Sequence, residues 1–415
     1  MKRKLTSRFI RYAKINTRSK HDETGCPSTT VQFDLAHMLV DELKSLGITE
    51  LSVDEHCYVV GKMASNLPED HIAYGKTPVI GFLAHLDTAP DMSGENVRPQ
   101  VIEKYDGKDI VIGFDESKKE KIIIKLDENP ELGKCVGHTV ITTDGTTLLG
   151  ADDKAGITAI VTALEHIKNE QDFLHGDIYF CFNPDEEIGR GTACFPLEKF
   201  PVDFAYTIDG GSAGELNKET FNADSAKITV YGRDIHPGTA KDIMINANRV
   251  ASYIIEQLPR DLSPEKTSGH EGFIHPTEMN ASTGEACLKM ILRDFEEKGL
   301  QANKVILEEI VSRAKKEFPG CSIDLEIQHS YRNMLLKLDQ NPQVLKRLED
   351  AVKKAQVDYQ WLPIRGGTDG AELTRRGIPT PNIFTGGQNF HGKTEWLSID
   401  VLMKTTEIIK HLVRV

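Results

Sequence analysis

The chain has 415 residues, 39% of them hydrophobic and 27% charged, with a formal net charge of -13 at pH 7. That balance describes a soluble globular protein too long for one ordinary core, so two domains are expected. The acidity argues against a nucleic-acid or anionic-membrane partner, whose hallmark is a basic surface, and it leaves room for carboxylates that cations neutralise.

The seven cysteines, at 26, 57, 135, 181, 194, 287 and 321, include no C-x-x-C pair. A disulfide framework is therefore not expected, and a reducing compartment fits best. Met1-Lys2-Arg3-Lys4 is basic, but no apolar stretch follows, and no apolar run approaches the ~20 residues of a membrane helix. The expected location is cytoplasmic.

In chain order, periodicity predicts amphipathic helices over 5–15 and 31–46, the second closed by Gly47. Residues 79–84 are a near-continuous apolar run, as in a strand buried on both faces, and they end on His85 and Asp87. Residues 105–147 read as irregular strand and loop. Leu149-Gly150-Ala151-Asp152-Asp153-Lys154-Ala155-Gly156 then sets two carboxylates at a glycine-flanked turn that opens into a helix over 154–168. Strand 177–182 runs into Asp185-Glu186-Glu187, and strand 204–208 into Asp209-Gly210-Gly211. This alternation predicts an α/β catalytic domain with a mainly parallel central sheet flanked by helices, where ligands bind at the carboxyl ends of strands.

After about residue 222 the pattern changes. Strand 225–231, helix 242–257, strand 286–294, helix 303–318 and strand 322–329 predict a smaller α+β lid, residues 222–334, inserted into a catalytic domain of 1–221 and 335–415. The Pro-, Ser-, Gly- and His-rich stretch 259–283 reads as loop. Helix 342–355, a short strand near 359–364, helix 370–376 and helix 398–412 complete the first domain.

Taken singly, His85-x-Asp87 or Glu186-Glu187 is an ordinary surface pattern. Together, His85, the Asp152-Asp153 pair, Asp185-Glu186-Glu187, Asp209 and His391, each near a strand end or turn, offer a mixed nitrogen and oxygen ligand set suited to zinc or a similar divalent ion. A carboxylate at the Asp152-Asp153 turn can bridge two ions about 3.5–4 Å apart.

His85-Leu86-Asp87-Thr88-Ala89-Pro90-Asp91, Gly150 to Gly156, Pro184-Asp185-Glu186-Glu187-Ile188-Gly189, Ile208-Asp209-Gly210-Gly211, His236-Pro237-Gly238, Arg365-Gly366-Gly367-Thr368-Asp369-Gly370 and Phe384 to Lys393 appear in one order along the chain. From about residue 5 to 412 the chain resembles the tripeptide-aminopeptidase branch of the dinuclear-zinc exopeptidase family, which also contains deacylases and a desuccinylase. The resemblance implies two Zn2+ per chain, with Co2+ or Mn2+ as substitutes. His85, Asp152 and Asp209 would hold one ion, and Asp152, Glu187 and His391 the other. Asp87 would orient His85, Glu186 would be the general base acting on a bridging water, and Asp152-Asp153 would be a cis peptide. His236 would stabilise the oxyanion, while Arg293 and Arg365 are candidates for the substrate carboxylate, which a guanidinium matches bidentately. Asn183 departs from the expected Thr before Pro184. The implied partners are small peptides, with neither nucleic acid nor membrane, and the chain acts as monomer or homodimer. Competing readings are hydrolysis of dipeptides or N-acyl amino acids, and a non-catalytic metal- or peptide-binding relative. A free base at Glu186, beside the ligand Glu187, speaks against the last.

Overall fold

A computed structural model describes residues 1–415. The chain divides into two compact units: Met1–Lys218 with Leu336–Leu362 and Thr368–Val415, and Glu219–Leu335 with Pro363–Gly367.

The first unit is built on a mixed sheet of eight strands. Its middle strands, Ile178–Asn183, Ile80–His85, Phe204–Gly210 and Asn382–Phe384, run parallel. Antiparallel partners flank them, with Glu50–Val53 and Val59–Met63 on one side and Glu215–Thr220 on the other. The parallel strands are those with continuous apolar sequence, because helices cover both of their faces. Ile80–His85 is buried along its whole length.

Helix Ala151–Asn169 crosses the sheet and is buried almost throughout. Its Ile157, Ile160 and Leu164 join Leu5, Phe9, Leu39, Phe82, Tyr206 and Leu402 in the main core. At Gly156 a Cβ would stand 2.0 Å from the carbonyl of Ile208. Only glycine lets this helix approach the Phe204–Gly210 strand closely enough to set Asp152 beside Asp209.

The stretch 105–147, read as irregular, contains a hairpin of Ile110–Asp115 and Glu120–Ile124 and the strand Val140–Thr142. The latter joins Gln100–Ile102, Trp396–Ser398 and Gly387–Gln388 in a small four-stranded sheet. Its strands Gly387–Gln388 and Trp396–Ser398 lie against helix Ala151–Asn169. No helix of the protein is long and apolar enough to cross a membrane.

The second unit is a four-stranded antiparallel sheet, ordered Phe273–Ala281, Glu285–Asp294, Asn222–Tyr231, Ser322–Tyr331, with helices Ala247–Glu256 and Glu297–Glu317 packed on it. Two expectations are corrected here. Residues 273–281, assigned to a loop, form an edge strand. It is paired on one side only, so it tolerates Pro276 at a register shift and an exposed polar run. The helix expected from 242 starts at Ala247, because Asn246 caps it by accepting from the Asn248 N–H.

Candidate active site

Three parallel strands deliver acidic and histidine side chains to one end of the large sheet. His85 ends its strand, Asp209 is the penultimate residue of its own, and Glu186 and Glu187 form a short turn just after the third. Asp152 joins them from the start of the buried helix, two residues after a left-handed Gly150 with φ of 76° and just before the cis peptide that links it to Asp153. His391 comes from the loop after Gly387–Gln388, with φ of 60°.

The two carboxylate oxygens of Asp152 serve different neighbours. Oδ1 lies 2.8 Å from Nε2 of His85, which is also 3.5 Å from Oδ1 of Asp209. Oδ2 lies 3.5 Å from Nε2 of His391, which is 2.8 Å from Oε2 of Glu187. The five residues thus fall into two half-sites that share Asp152. Asp153 also neighbours His85 and Asp209, but its oxygens already accept from the backbone N–H groups of Gly156 at 3.0 Å and His85 at 3.2 Å. It holds the helix start against the strand end.

Asp87 does more than orient a ring. Its oxygens accept from the Glu186 N–H at 2.9 Å and the Glu187 N–H at 3.2 Å, and Oδ1 lies 3.4 Å from Nδ1 of His85. The same His85 nitrogen is 3.1 Å from the Asp87 carbonyl. One fully buried carboxylate therefore sets both the Glu-Glu turn and the histidine.

Three further residues escaped the sequence reading. Glu395 is buried and accepts from the N–H groups of Leu149, Gly150 and Asp152. Nothing near it in sequence signals this. Asp369 is buried and accepts from Nδ2 of Asn183 at 2.5 Å, which gives the departure at Asn183 a partner. Its signal was its place within Arg365 to Gly370. Lys154 is fully buried, with Nζ donating to the Ile15 carbonyl at 2.7 Å.

The electrostatics call for cations. Burial, then the charge of Asp152, pushes the carboxyls of Glu187 and Asp209 up to about 8 and about 6. Burial, then the charge of Asp369, holds the Glu186 carboxyl well above its usual range. Burial alone would raise Asp152, but hydrogen bonds from His391 and His85 outweigh it and hold its carboxyl low. Hydrogen bonds to Asp152 and Glu187 push His391 up to about 11. Oε1 of Glu187 is buried without any hydrogen-bond partner. Crowded carboxylates and an orphaned buried oxygen fit bound divalent ions, which would offset both the repulsion and the desolvation. Oxygen and imidazole donors suit zinc and similar ions.

The remaining expected site residues, His236, Arg293 and Arg365, all lie in the second unit. His236 is exposed, and its Nδ1 accepts from the Gly238 N–H. Arg293 donates from Nη1 to the carbonyls of Asp224 and Leu292 and lies over the Tyr331 ring. Arg365 donates to the carbonyls of Gly269 and Glu271 and to Thr267, and its guanidinium stands 5.0 Å from the Phe221 ring centre.

Residues 143–415 match the model of peptidase family M20/M25/M40. Over 414 residues, all of this chain and 98% of the relative, the sequence is 45% identical to "Peptidase T" of Geobacillus kaustophilus, and 44% identical to that of Bacillus subtilis. The chain belongs to the M20/M25/M40 peptidase family. Solved structures share its fold. A tripeptidase from Staphylococcus aureus superposes with a TM-score of 0.76 at 21% identity, covering 100% of this chain and 98% of that one. An aminopeptidase from Bacillus cereus gives 0.74 at 20%, with the same coverage. A dinuclear metal-binding M20 peptidase from Bacillus subtilis gives 0.64 at 14%, covering 99% and 97%. Membership of the M20/M25/M40 family makes the chain a peptidase.

Proposed function

We propose that this peptidase removes the N-terminal residue from tripeptides at a centre holding two divalent ions. Zn2+ is the first choice, and Co2+ or Mn2+ are substitutes. His85, Asp152 and Asp209 would hold one ion, and Asp152, Glu187 and His391 the other. The division of the Asp152 oxygens between His85 and His391 carries this reading. The near-full-length similarity to relatives named peptidase T supports the substrate class.

When bound, the ions would supply Lewis-acid polarisation of the scissile carbonyl and acidify an attacking water. The protein's own groups do the rest. Glu186, with its amide held by Asp87, takes the proton from that water and passes it to the leaving amine. Asp87 keeps Glu187 and His85 oriented as ligands, and Glu395 holds the backbone that presents Asp152. His236 is the proposed donor to the carbonyl oxygen, and Arg293 and Arg365 are proposed contacts for the substrate carboxylate.

The test is hydrolysis of di-, tri- and tetrapeptides with and without a chelator. The expected result is chelator-sensitive release of the first residue, fastest on tripeptides. Equal rates on dipeptides or on N-acyl amino acids would move the chain to another branch of its family.

A further inference from the structure

Cys26, His56 and Cys194, scattered in sequence, come together on the first unit, outside the acidic cluster. One ligand atom from each lies within 4.8 Å of the others. The three side chains are half-buried, and the cysteines are free. Sγ of Cys26 is 3.9 Å from the His56 carbonyl, and Nδ1 of His56 is 3.2 Å from the Cys26 carbonyl, so the two residues hold each other. Cys194 is fixed separately. Its N–H donates to the Tyr58 hydroxyl at 3.2 Å, which in turn donates to the Gly191 carbonyl at 3.0 Å.

The surrounding chain is tied together by other contacts. Arg190 donates to the carbonyls of Glu23, Thr24 and Gly25. Ser28 donates to Asp185 through both its N–H, at 2.7 Å, and its hydroxyl, at 2.6 Å. The fold itself therefore brings the three ligands together.

We propose that Cys26, His56 and Cys194 form an additional metal site, sharing no residue with the peptidase centre, for a thiophilic divalent ion such as Zn2+. Each thiol would release its proton on binding. Two thiolates then neutralise the dication, imidazole supplies the third ligand, and water completes a tetrahedral set. The product carries no net charge, as a half-buried position requires. Burial pushes the Cys26 thiol up to about 12, which keeps it protonated and slow to oxidise, while an ion must displace that proton to bind. An oxidant needs a thiolate already present, whereas a coordinated ion deprotonates the thiol itself. A bound ion would cross-link the Cys26 and Cys194 turns, which flank the segment carrying Glu186 and Glu187.

Cobalt spectroscopy on the reduced, full-length enzyme tests this. A thiolate bound to Co2+ gives a near-ultraviolet charge-transfer band that the oxygen and nitrogen donors of the peptidase centre cannot give. The band should appear in the wild type, vanish in Cys26→Ser and Cys194→Ser, and weaken in His56→Ala. Metal content of the serine variants should fall by one ion per chain, while their peptidase activity and circular dichroism stay unchanged. Cys194→Ala serves as a second variant should the serine disturb packing. A band missing from fully reduced wild type, or persisting in both serine variants, overturns the site whatever the metal content of the peptidase centre.

Discussion

Oε1 of Glu395 accepts from the backbone N–H of Asp152 at 3.2 Å, while Oε2 accepts from Leu149 at 2.6 Å and Gly150 at 2.8 Å. A carboxylate far along the chain thus shapes the turn that presents the shared aspartate. It immediately precedes the inner strand Trp396–Ser398 of the small sheet, next to fully buried Trp396, so its own position is anchored by packing.

Replacing Glu395 by Gln puts an amide N–H where one of these donors needs an acceptor. Metal affinity should fall by about 10–100-fold, the usual effect of disturbing a residue that orients a ligand. Chelator competition on wild type and variant measures it. Equal affinities would mean that the Asp152 turn holds its shape without Glu395.

The adjacent glutamates should separate cleanly. Glu186→Gln should keep its metal and lose about 10²–10⁴-fold in kcat, the range for general-base catalysis. Glu187→Gln should instead lose metal, since it removes an oxygen that already pairs with His391. Metal analysis beside single-substrate kinetics distinguishes the two, and a reversed pattern would exchange their roles.

If a guanidinium reads the tripeptide's carboxylate, amidating that end should lower kcat/KM sharply. Arg293→Ala should then treat free and amidated tripeptides nearly alike. Arg365→Ala should also lower stability, because its guanidinium joins the Gly269 and Glu271 carbonyls within its own unit. Wild-type enzyme that cleaves both substrates equally well has no such clamp.

Acid sensitivity should depend on the N-terminal helix, Lys2–Ala13. Arg8, nearly buried, joins Glu42 and Glu165. Burial works to raise both carboxyls, but hydrogen bonds from Tyr12 and Arg11 at Glu42, and from Lys4 and Arg8 at Glu165, hold them below the usual range. Groups depressed in this way contribute stability above the unfolded carboxyl value of about 4.3 and lose it as pH falls through their folded values. Arg8→Met should therefore melt lower than wild type at pH 7, with the gap closing towards pH 3. A gap independent of pH would place the loss in packing rather than charge.

The residue chemistry of the centre was legible in the sequence. Apolar runs that end on His85, on Asp185-Glu186-Glu187 and on Asp209 announce strand ends, because a parallel strand buried on both faces must be apolar until it emerges. The Asp152-Asp153 turn announces itself by the glycines around it. The edge strand Phe273–Ala281 was not legible, since a strand paired on one side needs no apolar alternation. Other decisive facts belong to the tertiary structure. Which oxygen of Asp152 faces which histidine, why Glu395 matters and how Cys26 meets Cys194 all depend on residues far apart in sequence. A local pattern records what a segment must bury or expose. It carries no record of which distant backbone N–H a buried carboxylate will meet, because that pairing exists only once the sheet and the helices have packed.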